Sequence, residues 1–514
     1  MKKGEIYEGV ITDFDFPNKG SLYIEDRKVI VKETLPGQKV RFSISKKKAG
    51  MAEGRLIEVV ERSKLEDCEP TCAYFGVCGG CAYQTLSYEN QLKFKEEMVK
   101  KLIDKALPDT DYVWDGILAS PKQKGYRNKM EFTFGDEYKD GPLALGLHKK
   151  GSFHDIISVC GNEIKEGCEI INSDWRKIVN YTLKFFSERN VPFYHRMKHE
   201  GILRNLVVRQ SEATGEFLVN LVTSTQWSKY GYECDMVLAE YKDGLISLET
   251  SGSLAEGGRI AGILYTENDT LGDVVKSDRT ICLYGCNYIT EEVMGLKFKI
   301  SPFSFFQTNT KGCEVLYEKA REYIYESGSF DENELNGTSG KVVFDLYSGT
   351  GTIAQMMAKV SKKVIGIEIV EEAVEAAKEN AGENGLDNCE FIAGDVLKAI
   401  DLVQDKPDLI IVDPPRDGIN PKALDKILNF GVNQIVYISC KPTSLARDLK
   451  IMNERGYKLV KACCVDQFPC TRNAESCVLL ERVSNRKADS YVKLNVKMED
   501  YYRIKDAEGG EADG

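Results

Sequence analysis

The chain has 514 residues, and its 69 Lys and Arg against 80 Asp and Glu give a formal net charge of −11. At roughly 150 residues per domain, this length predicts about three domains. A composition with 42% hydrophobic and 29% charged residues is typical of globular proteins and excludes a disordered or fibrous chain. The acidic charge argues against nucleic-acid binding through bulk charge, although it is compatible with local basic grooves.

Cysteine usage is the unusual feature, with 16 cysteines against only 4 histidines. This fraction is well below the roughly 8–10% of a short disulfide-rich secreted chain. The first residues contain no apolar core typical of a signal peptide, and no stretch reaches the roughly 18 apolar residues of a membrane span. We therefore predict a cytoplasmic protein with no membrane partner, in which clustered cysteines bind metal or do chemistry.

The hydrophobic pattern predicts a multi-domain α/β protein. Short, evenly spaced strands in residues 1–62 predict a small OB-like β-barrel. Residues 63–300 contain the clustered cysteines and predict a mixed α+β central domain, whose helix at about 88–107 packs on the catalytic domain. Alternating strands and helices in residues 301–483 predict a Rossmann-like domain, and residues 484–514 predict a charged, flexible tail.

A glycine-rich turn follows a buried strand in residues 341–353. Gly349 and Gly351 allow a ligand to approach the backbone at a helix N-terminus. Asp345 precedes the turn, where its charge would repel a pyrophosphate but attract an ammonium group. The pattern therefore indicates the amino-acid end of S-adenosylmethionine.

Three further strands of this domain end in acidic residues, namely Glu368, Asp395 and Asp413. Glu368 lies about 20 residues beyond the glycines, where an acid accepts hydrogen bonds from ribose hydroxyls. Ligands of α/β proteins bind at the carboxyl edge of the sheet. The order of these acids therefore predicts a site for a nucleoside-type cofactor, with Asp395 near the adenine.

A fifth strand ends at Cys440, and Glu475 begins the last strand near the same edge. C5 of uracil becomes nucleophilic only after a thiolate adds to C6, and a base must then remove the C5 proton. Methylation of an exocyclic amine would need no cysteine and typically shows an aromatic residue after the two prolines, where Arg416 stands. We therefore predict Cys440 as nucleophile and Glu475 as base.

Four motifs together resemble those of RNA uracil-C5 methyltransferases, most closely the iron–sulfur subfamily that acts on 23S ribosomal RNA. They are Phe305-Phe-Gln-Thr-Asn309, Asp345-Leu-Tyr-Ser-Gly-Thr-Gly351, Asp413-Pro-Pro-Arg416 and Ser439-Cys-Lys-Pro442. The resemblance extends over nearly the whole chain. It implies an S-adenosylmethionine-dependent 23S rRNA (uracil-C5)-methyltransferase, with a TRAM domain, a small RNA-binding module, as the N-terminal barrel. The residues to which it assigns roles are Gln307, Tyr347, Glu368 and Asp413 for the cofactor, Cys440 as nucleophile and Glu475 as base.

The chain departs from the family pattern in the segment before Glu475. Cys470 and Asn473 stand where the family usually has His. Those histidines are not themselves the base, so the prediction for Glu475 is unchanged. The shape of the substrate pocket in this segment is therefore expected to differ.

Cys72, Cys78 and Cys81 form a compact cluster, with Cys68 just upstream and Cys160 far along the chain. Three local thiolates with one distant ligand can hold zinc or a [4Fe–4S] cluster. The resemblance implies a [4Fe–4S] cluster on Cys72, Cys78, Cys81 and Cys160, with Cys68 as the alternative to Cys72. We expect it to have a structural role.

Basic residues alternate with aromatic residues or Asn in three stretches of the central region, namely 122–129, 148–150 and 203–209. Such stretches suit phosphate contacts and a flipped, stacked base, and they predict an RNA groove. Two rival functions remain open: a tRNA uracil-C5 methyltransferase, and a non-catalytic RNA-binding or assembly protein. Nothing in the sequence indicates an obligate protein partner.

Overall fold

The structure is a computed structural model that describes residues 1–48, 50–152, 154–159, 167–254, 257–272, 277–326 and 340–483. The predicted tail, residues 484–514, and Cys160 lie outside the described residues. Within the described ranges, no helix combines the length and the apolar character that crossing a membrane requires.

The N-terminal region forms one six-stranded sheet. Its strands are β1 (Ile6–Val10), β2 (Asp13–Asp15), β3 (Lys19–Ile24), β4 (Arg27–Lys32), β5 (Lys39–Lys48) and β6 (Met51–Glu61), in the order β1-β5-β6-β4-β3-β2. Alternate residues of β4 and β5 are fully buried, among them Val29, Val31, Val40 and Phe42. This period of two follows from the pleat of a strand, which points successive side chains to opposite faces.

The predicted helix at 88–107 is confirmed as α1 (Tyr88–Ala106), which is followed by strand β7 (Val113–Leu118). The Ser87 hydroxyl accepts a hydrogen bond from Asn90 N and caps α1. Phe94 of α1 packs on Phe14 of the N-terminal sheet, with ring centroids 5.0 Å apart. Helix α1 thus packs between the N-terminal sheet and the C-terminal domain.

The central region is built on a seven-stranded sheet in the order β10-β9-β8-β11-β12-β13-β14. Its elements, with the hairpin β15–β16 that follows, are β8 (Lys129–Asp136), β9 (Leu143–His148), β10 (Ile156–Ile157), α2 (Ser173–Glu188), β11 (Leu203–Gln210), β12 (Glu216–Thr223), α3 (Cys234–Thr250), β13 (Arg259–Glu267), β14 (Arg279–Gly285), β15 (Ile289–Val293) and β16 (Leu296–Ile300). Trp175 of α2 makes edge contacts with Phe132 and Phe217 of the sheet. These aromatic rings form the centre of the core beneath the helices.

The C-terminal region is an α/β domain on an eight-stranded sheet in the order β19-β18-β17-β20-β21-β23-β22-β7. Its elements are α4 (Thr310–Glu326), β17 (Val342–Leu346), α5 (Thr352–Ala358), β18 (Lys363–Glu368), α6 (Glu371–Glu383), β19 (Cys389–Ala393), α7 (Val396–Ala399), β20 (Leu409–Val412), α8 (Pro421–Asn429), β21 (Gln434–Ser439), α9 (Pro442–Glu454), β22 (Tyr457–Val465) and β23 (Glu475–Arg482). Strands β17 to β21 are parallel, and β23 is antiparallel to β21. The edge strand β7 comes from the range predicted for the central domain and pairs with β22.

A buried ion pair fixes α1 to the loop between β22 and β23. Lys95 Nζ donates to Asp466 Oδ1 at 2.6 Å, and neither side chain is exposed to solvent. The same ammonium donates to the carbonyl oxygen of Phe468 at 3.0 Å. Because the low-polarity surroundings strengthen these charge-assisted bonds, the backbone on both sides of Gln467 is held in one position.

We expect Lys95→Met to lower the free energy of unfolding by about 3–5 kcal/mol, because it leaves the Asp466 carboxylate buried without its partner. Lys93→Met is the matched control on the same helix, since Lys93 pairs with Glu89 in solvent. That exposed pair is worth no more than about 0.5 kcal/mol. Urea unfolding of the two variants and the wild type measures both values. Equal losses for the two variants would contradict the role given to Lys95.

Candidate active site

The glycine-rich turn between β17 and α5 has the left-handed backbone conformation that its glycines predict. Tyr347, Gly349 and Gly351 have positive φ angles of 67°, 54° and 76°. A Cβ at Gly351 would lie 2.7 Å from the Phe391 ring, so the turn accepts no larger residue there. Asp345, at the end of β17, accepts a hydrogen bond from Ala354 N and thereby ties the strand to α5.

Glu368 joins the end of β18 to the same turn. Its two carboxylate oxygens accept hydrogen bonds from Gly349 N at 3.0 Å and Val370 N at 2.9 Å. A carboxylate offers about four acceptor positions, so it retains capacity for ribose hydroxyls. Asp395 instead caps α7 by accepting from Leu397 N, which is a structural role.

Gln307 lies in the segment before α4 and is held by two other regions of the chain. Asn128 Nδ2 donates to its carbonyl oxygen at 2.9 Å, and Gln467 Nε2 lies 3.4 Å from its side-chain oxygen. Asn309 Nδ2 in turn donates to the carbonyl of Gln467. The side chain predicted to bind cofactor is therefore positioned through the loop that Lys95 fixes.

Cys440 and Glu475 lie opposite each other across two paired strands. Ser439 of β21 pairs with Ser476 of β23, so the register places Cys440 across from Glu475. Burial, together with the negative charge of Asp413, raises the pKa of Glu475 to about 8. Burial also raises the pKa of Cys440 to about 12, with further contributions from Glu475 and Asp413. The predicted nucleophile and base are therefore neighbours.

Asp413 completes this acidic group at the end of β20, and burial raises its pKa to about 7. The opposing charge is Arg416, which favours the charged forms of both Cys440 and Glu475. Burial likewise raises the pKa of Asp345 to about 8, helped by the charges of Asp413 and Glu368. Such a concentration of perturbed acids favours a ligand with positive charge.

The cysteine-rich loop contacts the catalytic domain through Cys470. The carbonyl of Cys470 accepts hydrogen bonds from Ala82 N at 2.7 Å and Tyr83 N at 3.0 Å. Gln91 of α1 accepts from Cys470 N and approaches the Cys470 thiol. This departure from the family pattern is therefore a docking position between the loop and the domain.

Within the loop, Cys72, Cys78 and Cys81 are half-buried. The amide of Gly80 donates to the sulfur of Cys78 at 3.4 Å, and Cys81 lies close enough to Cys168 and Cys470 for their charges to affect its pKa. Among the described residues, no group of three or more His, Cys, Asp or Glu is arranged to hold a metal ion.

The basic stretches predicted to bind RNA have different environments. Arg204 and Arg209 are buried, and they donate to backbone carbonyls at Asn268 and Pro302 respectively. These two residues of the stretch 203–209 therefore support the fold, contrary to the prediction. Lys122 pairs with Glu212 at the surface, whereas Lys129 lines a cavity beside the cysteine loop.

The contacts of Asn128, Gln467 and Lys95 were not predicted. Asn128 lay in a stretch assigned to RNA, and Gln467 stood in the segment before Glu475 without an assigned role. Their hydrogen bonds join residues 158 or more positions apart. No local sequence pattern predicts such contacts. A Lys on the apolar face of a predicted helix, such as Lys95, does indicate a buried ion pair, because Lys is almost never fully buried unless it is paired.

Comparison with known proteins agrees with this arrangement. A family model for tRNA (uracil-5-)-methyltransferase matches residues 297–483. An uncharacterized RNA methyltransferase of Clostridium tetani is 48% identical over 483 residues, which cover 94% of this chain and 99% of its own. One from Caldanaerobacter subterraneus is 45% identical and covers 94% and 100% respectively.

A solved structure shares the fold. The crystal structure of the Pyrococcus abyssi tRNA (uracil-54, C5)-methyltransferase in complex with S-adenosyl-L-homocysteine aligns with a TM-score of 0.65 and 24% identity. The alignment covers 92% of this chain and 100% of that one. The chain belongs to the RNA methyltransferases. More narrowly, residues 297–483 of its C-terminal domain are similar to the tRNA (uracil-5-)-methyltransferase family.

We expect the raised pKa of Glu475 to make stability depend on pH. In the unfolded chain this group titrates near 4.5 and in the fold near 8, so between these values the folded state binds more protons. The free energy of unfolding therefore falls as pH rises from 4.5 to 8. Glu475→Gln removes this pH-dependent loss of stability. The Tm of the variant minus the Tm of wild type should therefore be several degrees larger at pH 8.5 than at pH 5.

Differential scanning fluorimetry at the two pH values measures the effect. Glu481→Gln is the matched control, since Glu481 lies on the same strand but is partly exposed. Its Tm difference from wild type should be the same at both pH values. A pH-independent difference for Glu475→Gln would show that Glu475 titrates normally in the fold.

Proposed function

We propose that the protein transfers a methyl group from S-adenosylmethionine to C5 of a uridine in 23S rRNA, in the cytoplasm. The observation that carries the proposal is the placement of Cys440 across from Glu475 at the sheet edge that also bears Asp413 and Glu368. A nucleophile facing a base has no function in a protein that only binds RNA, and it matches the two steps that C5 methylation requires.

The Cys440 thiolate adds to C6 of the uracil, which makes C5 nucleophilic. C5 then forms a bond to the methyl group, and the broken sulfur–methyl bond leaves S-adenosylhomocysteine as a neutral thioether. Glu475 then removes the C5 proton, and the thiolate leaves C6 to restore the aromatic ring. Both groups must first lose protons, and their pKa values of about 12 and about 8 oppose this. The cofactor supplies an electrophilic methyl group on a sulfonium. A positive charge bound near this acidic group would favour the thiolate and the carboxylate, so we expect cofactor binding to precede attack.

Several residues are assigned to the cofactor. Gln307, Tyr347 and Asp413 would contact the cofactor, and Glu368 would accept hydrogen bonds from its ribose hydroxyls. Tyr347 lies in the glycine turn with a left-handed backbone, next to the end of β18 through its hydrogen bond from Tyr347 N to Ile367 O. These assignments rest on the resemblance and on the position of each side chain at the carboxyl edge.

We expect Cys440 to form an adduct with 5-fluorouridine RNA that is stable in SDS, because fluorine at C5 prevents the elimination step. Incubation of the protein and S-adenosylmethionine with 5-fluorouridine transcripts of 23S rRNA and of tRNA should trap the rRNA alone. Cys440→Ala should form no adduct, whereas the control Cys282→Ala, at an exposed cysteine, should react as wild type.

The outcomes separate the rival functions. Trapping of the tRNA transcripts alone would establish the tRNA methyltransferase, which the description of the matched family model favours. Binding of RNA without an adduct under any condition would establish a non-catalytic RNA-binding protein. With ordinary uridine, Glu475→Gln should accumulate the methylated covalent intermediate, because the C5 proton cannot be removed. Mapping of 5-methyluridine in 23S rRNA, with and without the gene, then identifies the position.

We also propose a [4Fe–4S] cluster held by Cys72, Cys78, Cys81 and Cys160. The amide hydrogen bond to Cys78 supports thiolate ligands in this loop, and Cys72 is close enough to Cys78 to affect its pKa. The resemblance assigns the fourth position to Cys160. Cys168, which lies near Cys81, is the alternative that the experiment must separate from it. A cluster here would hold the loop against the central sheet.

We expect anaerobically purified protein to absorb near ~400 nm and to contain iron and sulfide. Cys72→Ala and Cys160→Ala should lose iron, whereas Cys68→Ala and Cys168→Ala should retain it. Iron and sulfide analysis of the four variants checks each assignment separately. Loss of iron in Cys168→Ala but not in Cys160→Ala would overturn the assignment from the resemblance. A colourless protein that contains zinc would contradict the cluster itself.

A further inference from the structure

A cavity of about 650 Å³ lies between three parts of the chain that are distant in sequence. Its walls are the cysteine loop, the hairpin of β8 and β9, and the segment that leads to Gln307. The lining residues that bear on its chemistry are Gly79, Arg127, Lys129, Glu131, Phe303 and Phe305. A volume of this size accommodates a small ligand such as a nucleotide.

The cavity is adjacent to the cofactor turn. Phe305 is 67% exposed, and a Cβ placed on Gly349 would lie only 3.7 Å from its ring. The segment that carries Phe305 is rigid on both sides, because Arg209 Nε donates to the carbonyl of Pro302 at 3.1 Å and Asn128 donates to that of Gln307. A ligand in the cavity would therefore lie beside the glycine turn predicted to bind the cofactor.

The charges in this wall favour an anion. Lys129 pairs with Glu131 at 2.8 Å, and its side chain is 21% exposed. Burial lowers the pKa of Lys129, and so do the positive charges of Arg209 and Arg127, against the opposing effect of Glu131. Three cations thus act around one carboxylate, and a phosphate beside Lys129 would relieve their mutual repulsion.

We propose that this cavity is a subsite for a nucleotide of the RNA strand next to the target uridine. Lys129 and Arg127 face its phosphate, and the aromatic rings of Phe303 and Phe305 lie where its base would enter. This inference rests on the proposed function, because a uridine that reaches Cys440 must leave its stack. Its neighbour in the strand is then unstacked too, and an aromatic, basic cavity beside the active site stabilises it.

Gly79 provides a steric test. A Cβ at this exposed position meets no atom within 4 Å, so Gly79→Leu extends into the cavity without a clash. Gly382→Leu is the matched control, since Gly382 lies in α6, away from the cavity, and its Cβ also meets nothing within 4 Å. Iron content of both variants should equal that of wild type, and neither variant should have a lower Tm, since leucine at Gly382 raises the helix propensity of α6.

The probe is a fluorescein-labelled oligouridylate of about 12 nucleotides, titrated in the presence of S-adenosylhomocysteine. Loss of one bound base is worth about 1–3 kcal/mol, so Gly79→Leu should weaken binding at least about fivefold, and Gly382→Leu should not change it. Lys129→Gln should weaken binding and reduce the slope of log K against log salt by about 0.7, which corresponds to one phosphate. Wild-type affinity for Gly79→Leu would overturn the proposal.

A second measurement tests whether the cavity binds the base of one particular nucleotide in the strand. Abasic residues are placed one at a time beside a uridine in otherwise identical oligonucleotides. One position should weaken wild-type binding, and the same position should have no further effect in Gly79→Leu. Equal effects of every position in both proteins would overturn the subsite. Because binding is measured without methyl transfer, these results are independent of the 5-fluorouridine trapping, whose failure alone would refute the proposed function.

Discussion

The ion pair between Lys95 and Asp466 is the contact on which the geometry of the site depends. Both charges are fully buried, so the pair persists only because each replaces the water that the other has lost. Lys95 bonds to residues on both sides of Gln467, and Gln467 contacts Gln307. A helix from the N-terminal half of the chain thereby sets the position of a side chain in the catalytic domain.

The same loop also receives the cysteine-rich segment. Cys470 follows Phe468 by two residues, and its carbonyl accepts two backbone hydrogen bonds from residues 82 and 83. Cys470 has a left-handed backbone, with φ 64°, at the point where its carbonyl meets the loop. The turn between β22 and β23 is thus the point where α1, the cysteine loop and the cofactor segment meet.

The carboxyl-edge residues could be predicted from the sequence, because parallel strands bring their ends to one edge whatever the details of packing. Asp345, Glu368, Asp413 and Cys440 each follow a short apolar run that forms its strand as expected. Arg204 and Arg209 were misread, since a basic stretch in sequence does not reveal whether its side chains point to solvent or to buried carbonyls. Contacts such as Asn128 with Gln307 depend on how two domains pack, which no periodicity encodes.

The acidic group around Cys440 disfavours its thiolate. Burial raises the pKa of Asp413, burial and the charge of Asp413 raise that of Glu475, and burial with the charges of both acids raises that of the Cys440 thiol. Arg416 opposes these shifts but does not cancel them. A positive charge added at this edge of the sheet would therefore favour the deprotonated forms of Cys440, Glu475 and Asp413 together. Under the proposed function, such a site would become nucleophilic when its positively charged methyl donor binds, which would protect a half-buried thiol from reaction with other electrophiles.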